Sequence, residues 1–408
     1  MSSPPTSVAA PTLSPGGSAI RLLPLVAIVF TSFLAVGMPL PALPLYLHGV
    51  QGFDTFITGC VVGIQSLATL LTRQVAGNYC DRHGPRYSVL VGLPMAALAG
   101  VAYLVSTFIP HVAAGLAVLV LGRLLMGLAE SLFLTGTMTW GVARVGPQRT
   151  GTVMAWQGIA MFAAYGFGAP AGIGAMQAWG FKAVSLVTIA LPLIGLGIAL
   201  SLPRPPVTGG GRQNASILSV VGYVWRPALA MLLGTMPFVV ITTFLVLYYQ
   251  QQQWDGAGTA VFAFTVGYIG VRLFLAHLPD TRGGRTVGIV STAIQAAGLG
   301  LLWFAPTPGW ALSGAVLTGI GLSLIFPAMG VEAMRHVPPQ RRGLAMGCFL
   351  AFIDMGVGLT GPAIGALIGA AGYGAMFGAS IACCLVAIAI MQWGLGLAQP
   401  TSSRSATH

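Results

Sequence analysis

Apolar residues run along this chain in long blocks separated by short polar stretches, and the block lengths decide what they can become. A helix needs about 20 apolar residues to cross the hydrocarbon core of a bilayer. Twelve blocks qualify: 22–47, 55–77, 87–109, 113–141, 151–176, 183–202, 227–249, 257–277, 286–305, 310–334, 345–369 and 374–396. The pattern predicts an all-α membrane protein with twelve transmembrane helices. The longest polar interruption, 203-PRPPVTGGGRQNASIL-218, follows the sixth block, so the chain divides into a six-helix bundle at 21–202, a linker at 203–218 and a second bundle at 219–397. Residues 1–20 are rich in Pro, Ser and Gly and are expected as a disordered tail, with a second tail at 398–408. The first apolar block is far longer than the roughly 7 to 15 residues of a signal-peptide core, so it reads as a span.

The two halves repeat in sequence. Residues 145-VGPQRTGTVMA-155 match 337-VPPQRRGLAMG-347 at an offset of 192. The same offset pairs Gly122, Gly127, Ser131, Pro170 and Gly180 with Gly314, Gly319, Ser323, Pro362 and Gly372. Two pseudo-symmetric bundles follow, and parallel six-helix repeats are one of the builds used by secondary transporters, with the substrate held near mid-membrane between them.

Composition removes the soluble alternatives. Hydrophobic residues are 56% of the chain and charged residues 6%, with a mean hydropathy of +0.86. The net charge of +11 would point to nucleic acid only if the basic residues clustered on one face, and they recur instead in short connections, so no nucleic-acid partner is expected. With the N-terminus placed inside, fourteen of the 18 Lys and Arg fall on the cytoplasmic side, and Lys182 alone falls outside. That bias predicts cytoplasmic termini by the positive-inside rule. The remaining three, Arg73, Arg123 and Arg272, lie within or at the edge of spans. Five cysteines without CxxC spacing and six scattered histidines offer no metal site, no cofactor site and no catalytic cluster, so an enzyme is not expected.

Between the second and third blocks stands 77-GNYCDRHGPR-86, and the second half carries 276-AHLPDTRGGR-285 in the same place. An offset of 199 pairs Arg73, Asp81 and Arg86 with Arg272, Asp280 and Arg285. Basic residues here help to set topology, but acids contribute little to it, so the aspartates need another account. Residues Gly77, Asp81, Arg82, Gly84 and Arg86 resemble the loop signature of the major facilitator superfamily, and the likeness extends over all twelve blocks. It implies the fold of that family, a small-molecule substrate, and a cytoplasmic gate that also takes in Arg73, Arg272, Asp280 and Arg285. In that gate Asp81 would latch onto the positive N-terminal end of a helix in the other half. The acid that pairs in some members with the last arginine of the loop is absent between Glu130 and the following connection.

Charges inside the spans come next. Arg123 and Glu130 are two turns apart and share one face with Gly127 between them. An ionisable group at mid-bilayer is costly unless it faces a cavity or a partner, so both should look inward. Two accounts stand: an ion pair that only fixes packing, or a proton-exchanging carboxylate with Arg123 as its modulator, since burial favours the protonated form and a guanidinium the ionised one. The resemblance favours the second, because an arginine at this place on the fourth helix characterises proton-coupled exporters of the superfamily. Asp354 has no basic residue within two turns on its own helix and is expected as an unpaired second proton site. Glu332 is expected to pair locally with Arg335.

The fifth block carries 165-YGFGAPAGIG-174. Small residues there permit close helix approach and Pro170 a kink. Gly166, Gly168, Pro170 and Gly172 also resemble the glycine-proline signature that implies antiport, with Ala169 in place of one glycine. Met38, Phe133, Trp156, Gln157, Tyr165, Phe238 and Phe326 lie on spans that line the cavity in the family, although core packing or lipid contact explains such residues equally well. The expectation is a monomeric, proton-coupled exporter of small amphipathic compounds in a bacterial inner membrane. The competing expectation is a symporter or facilitator for an anionic metabolite held by Arg123.

Overall fold

The computed structural model describes residues 15–204, 218–338 and 341–394; the expected linker and both tails lie almost wholly outside these. Among the described residues, twelve helices are long and apolar enough to span a membrane: α1 Ile20–Val50, α2 Thr55–His83, α3 Pro85–Ser106, α4 Val112–Val145, α5 Thr150–Trp179, α6 Phe181–Ser201, α7 Val220–Gln251, α8 Ala257–Leu275, α9 Gly284–Trp303, α10 Pro308–Met334, α11 Leu344–Ala371 and α12 Gly374–Gly394. We call the side carrying the 51–54 and 252–256 connections the distal end, and the side of the chain termini the proximal end.

Several helices outrun their apolar blocks because a glycine, not the end of hydrophobicity, stops them. The helix α2 continues through Gly77, Asp81 and Arg82, and Gly84 alone joins it to α3, at φ +92°, a conformation only glycine adopts without strain. The stretch expected as a loop is therefore mostly helix. Gly283 repeats the turn at φ +84°, after a short helix at Leu278–Arg282. In α1 and α7 a widened turn follows a proline: Leu45–Val50 after Pro44, and Val240–Phe244 after Pro237. Such turns accommodate the hydrogen bond that proline removes.

The repeat is borne out contact by contact. Ser131 on α4 donates to the Thr69 carbonyl on α2 at 2.9 Å, and Ser323 on α10 donates to the Tyr268 carbonyl on α8 at 2.7 Å. Gly127 lies against the Gln65 carbonyl and Gly319 against the Phe264 carbonyl. Arg86 donates to the Leu200 carbonyl and Arg285 to the Gln392 carbonyl. Every donor and every acceptor here is displaced by 192 or 199 residues between the halves.

Lipid is as apolar as a leucine side chain, so the helices are held by close approach and interhelical hydrogen bonds. The halves meet along two seams. On the α2–α11 seam, a methyl added at Gly59 would overlap the Gly361 carbonyl, one at Gly63 would overlap the Gly358 carbonyl, and Thr55 Oγ1 donates to the Gly365 carbonyl at 2.6 Å. On the α5–α8 seam, Gly258 lies against Pro170 and Gly166 against Thr265. These contacts belong to the distal halves of the helices. The buried apolar residues of the second half also take in Leu45, Ala169 and Ile173 of the first, which closes the distal end. Nearer the proximal end, a methyl at Gly77, Gly151 or Gly347 would meet nothing within 4 Å.

Candidate functional site

Four ionisable residues of the spans, Arg73, Arg123, Glu130 and Asp354, gather where α2 faces α4 on one side and α11 on the other. Gly127 lets α4 lie against α2 at Gln65, and one turn further along α4 this brings Glu130 within reach of the same residue. Gln65 Nε2 donates to Glu130 Oε2 at 2.9 Å. Below it, Thr69 Oγ1 donates to the Gly127 carbonyl at 3.2 Å, and Thr72 Oγ1 lies 3.0 Å from Ser131 Oγ. A ladder of small polar side chains thus joins the two helices down to Arg73.

Arg73 points out of the first half. Its Nη2 lies 2.6 Å from Asp354 Oδ2 and its Nε donates to the same oxygen at 2.8 Å, an ion pair between the halves with side chains 25% and 15% exposed. This corrects two expectations. Asp354, expected without a partner, is paired with an arginine 281 residues away in sequence. Arg73, expected in the proximal gate with Arg272, bridges the α2–α11 seam instead.

Of the two accounts of Arg123 and Glu130, the packing ion pair is absent. Arg123 is 1% exposed and donates to the carbonyls of Val61 at 3.1 Å and Val62 at 2.8 Å. The two residues share a face of α4, but the long arginine side chain turns to the distal part of α2 while Glu130 meets Gln65. Gln65 Oε1 is buried without a hydrogen-bond partner among the described residues.

With this geometry in place, comparison with known proteins is decisive. The description Major Facilitator Superfamily matches residues 25–264 and 255–408. The chain belongs to the major facilitator superfamily. An uncharacterized MFS-type transporter of Salmonella typhimurium is 38% identical over 382 residues, covering 93% of this chain and 98% of that one. Among solved structures, the D-xylose-proton symporter superposes with a TM-score of 0.76 at 14% identity, covering 92% of this chain and 98% of that one. The nucleoside transporter NupG does so at 0.70 and 18%, covering 91% and 99%. The protein is thus an integral membrane transporter for small molecules and not an enzyme; MFS transporters often couple their substrates to protons.

The other expected residues of this MFS transporter divide sharply. Tyr165 and Phe238 come together across the halves at 5.2 Å between ring centroids, and Phe162, which sequence reasoning missed, packs on both and stacks on Tyr268 at 3.6 Å. Phe133, 0% exposed, is core of the first half against Phe33, and Phe326 packs on Phe349 within the second. Gln157 is buried and donates to Thr137 Oγ1 at 3.0 Å, tying α5 to α4. Met38 is buried against Gly168 and Gly172. Trp156 is exposed near the proximal end. Only Tyr165 and Phe238, of these seven, meet across the halves, and they do so beside the α5–α8 seam.

In the signature region, Asp81, Arg82 and Asp280 are exposed, and Asp81 has no hydrogen-bond or ion-pair partner among the described residues. The expected latch is not formed there. An acid does cap a helix in the second half: Glu332 Oε1 accepts from the Arg285 backbone N–H at the start of α9, 3.0 Å away, while Oε2 keeps the expected local contact with Arg335 at 3.6 Å. Arg272 donates to the Ser323 carbonyl at 3.0 Å and lies 4.9 Å from the Tyr268 ring. Gly166 and Pro170 face α8, whereas Gly168 and Gly172 face α1, so the motif packs two neighbours on its two faces.

Proposed function

We propose that this transporter is a proton-coupled exporter of small amphipathic organic compounds, an antiporter working by alternating access in a bacterial inner membrane with both termini cytoplasmic. The observation that carries the reading is the Arg73–Asp354 bridge between the halves at one end of a polar ladder that holds Glu130 at the other. An arginine between two carboxylates is a competition. Ionised Glu130 draws on the guanidinium that Asp354 holds, and a proton on Asp354 weakens the bridge. Either event changes how strongly α2 holds α11, which couples protonation to the movement of one half against the other.

Gln65 suits this role chemically. Its amide donates to an ionised Glu130, and its free oxygen can accept from a protonated one after rotation, so both protonation states keep a partner. Tyr165, Phe162 and Phe238, which meet across the halves, supply the apolar surface that an amphipathic substrate needs. The glycine-proline motif of α5 supports export over import. Arg123 does not favour the reading in which it holds an anion, because Nε and Nη2 donate to α2 carbonyls and Nη1, though without a hydrogen-bond partner among the described residues, is buried.

Reconstituted vesicles with an imposed proton gradient test the proposal. Substrate movement should run against proton flow, and Glu130→Gln should abolish accumulation while leaving ligand binding measurable. Transport indifferent to the gradient, or full activity in the variant, rejects it.

A further inference from the structure

A cleft of about 330 Å³ opens at the distal end of the α5–α8 seam. The first half supplies Pro170 and Gln177; the second supplies Tyr249, Gln250, Trp254 and Asp255. Its chemistry is specific. The Tyr249 and Trp254 rings meet edge to face at 5.6 Å, and the carboxylate of Asp255 stands in the next position of the chain. Tyr249 is only 2% exposed, yet its hydroxyl has no hydrogen-bond partner among the described residues, nor do the amides of Gln177 and Gln250 or the carboxylate. The basic side chain of the distal connections does not neutralise Asp255, since Lys182 lies over the Phe108 ring at 4.3 Å.

The partly exposed Trp254 ring beside an unpaired carboxylate attracts a cation that carries apolar substituents, because the ring quadrupole and the acid add while the substituents lower the cost of leaving water; buried Tyr249 holds that ring in place. The amides and the phenol offer hydrogen bonds at the rim. We propose that this cleft binds an organic ammonium group. Its walls come from both halves, so an occupant ties Pro170 and Gln177 to Asp255 and holds the distal end shut. The site is therefore inhibitory, and it is separate from the acids at Glu130 and Asp354. The ammonium can come from a soluble compound or from an ethanolamine lipid headgroup at the bilayer rim.

The test uses the full chain in phosphatidylglycerol nanodiscs, titrated with benzyltrimethylammonium chloride. Saturable binding is expected, weakened about tenfold by Asp255→Asn and by Trp254→Ala and unchanged by Glu130→Gln. In vesicles the same probe should slow transport by the wild type and not by Asp255→Asn. Adding phosphatidylethanolamine separates the sources: a fall in apparent affinity for the probe identifies the headgroup as a ligand, and an unchanged affinity a soluble ammonium, the site standing in both cases. Absence of saturable binding, equal binding by Asp255→Asn, or loss of binding in Glu130→Gln overturns the proposal.

Discussion

The two seams between the halves are related by the internal repeat and differ in kind. On one, Arg73 of α2 meets Asp354 of α11; on the other, the equivalent residues are Arg272 of α8 and Phe162 of α5. Phe162 stacks on Tyr268, and Arg272 turns back over the same ring and onto the Ser323 carbonyl of its own half. Both seams carry an arginine, but only one gives it an acid to hold across the interface. An ionic contact can be switched by a proton, whereas an aromatic stack cannot. On the proposed reading, control lies at α2–α11, and α5–α8 is the passive surface on which the halves rock. The polar partners follow the same asymmetry: Glu130 and Gln65 have Leu322 and Phe264 as their counterparts.

The largest effect expected from breaking this asymmetry comes from Asp354→Asn. It leaves Arg73 uncompensated between the halves, a loss of about 2 to 3 kcal/mol once the partial exposure of both side chains is allowed for. Gradient-driven transport in vesicles should fall about a hundredfold, since each 1.4 kcal/mol is a factor of ten. Arg272→Ala should cost less than about tenfold, because its interhelical bond stays within one half. Equal losses in the two variants would erase the distinction between the seams.

Much of the scaffold was legible in the sequence because its causes are local or periodic. Block length gave the spans, and register over 192 residues gave the repeat, down to Ser131 and Ser323 reaching equivalent carbonyls. The site was legible only as a set of costly residues. Sharing a face of α4 suggested that Arg123 and Glu130 pair, but a face does not fix where a long side chain turns, and carbonyls of Val61 and Val62 claim the guanidinium. Asp354 looked unpaired because its partner lies on another helix in the other half. Gln65 carried no signal beyond being an amide in an apolar run, and Phe162 was missed although the offset of 192 pairs it with Asp354.

A smaller effect is expected from making the seams alike. Phe162→Asp removes the stack on Tyr268 and places an acid where Arg272 can reach it, one turn from Gly158, which already lies beside the guanidinium. A second ion pair would then hold the halves together, so turnover in vesicles should fall about tenfold while purified protein melts no lower than the wild type. Restoration of turnover by Phe162→Asp combined with Arg272→Ala would confirm that the new bridge is the cause. A single variant that transports normally would show that α5–α8 does not need to be free of charge.

The smallest effect concerns the paired serines, and it asks whether the scaffold itself is indifferent to the site. An interhelical hydrogen bond within a membrane is worth about 0.6 kcal/mol, so Ser131→Ala and Ser323→Ala should each lower the melting temperature by no more than about 2 °C. Their effects on transport should still part. Ser131 also meets Thr72, the residue beside Arg73, so its loss loosens the end of the ladder that aims the guanidinium at Asp354. Ser323 holds only the Tyr268 carbonyl, and Arg272 is anchored by the Ser323 backbone, which alanine keeps. Ser131→Ala should therefore slow vesicle transport about two- to threefold, in line with half a kilocalorie at that contact, while Ser323→Ala leaves it unchanged. Parallel slowing in both would mean that the repeat, not its break, governs how the halves move.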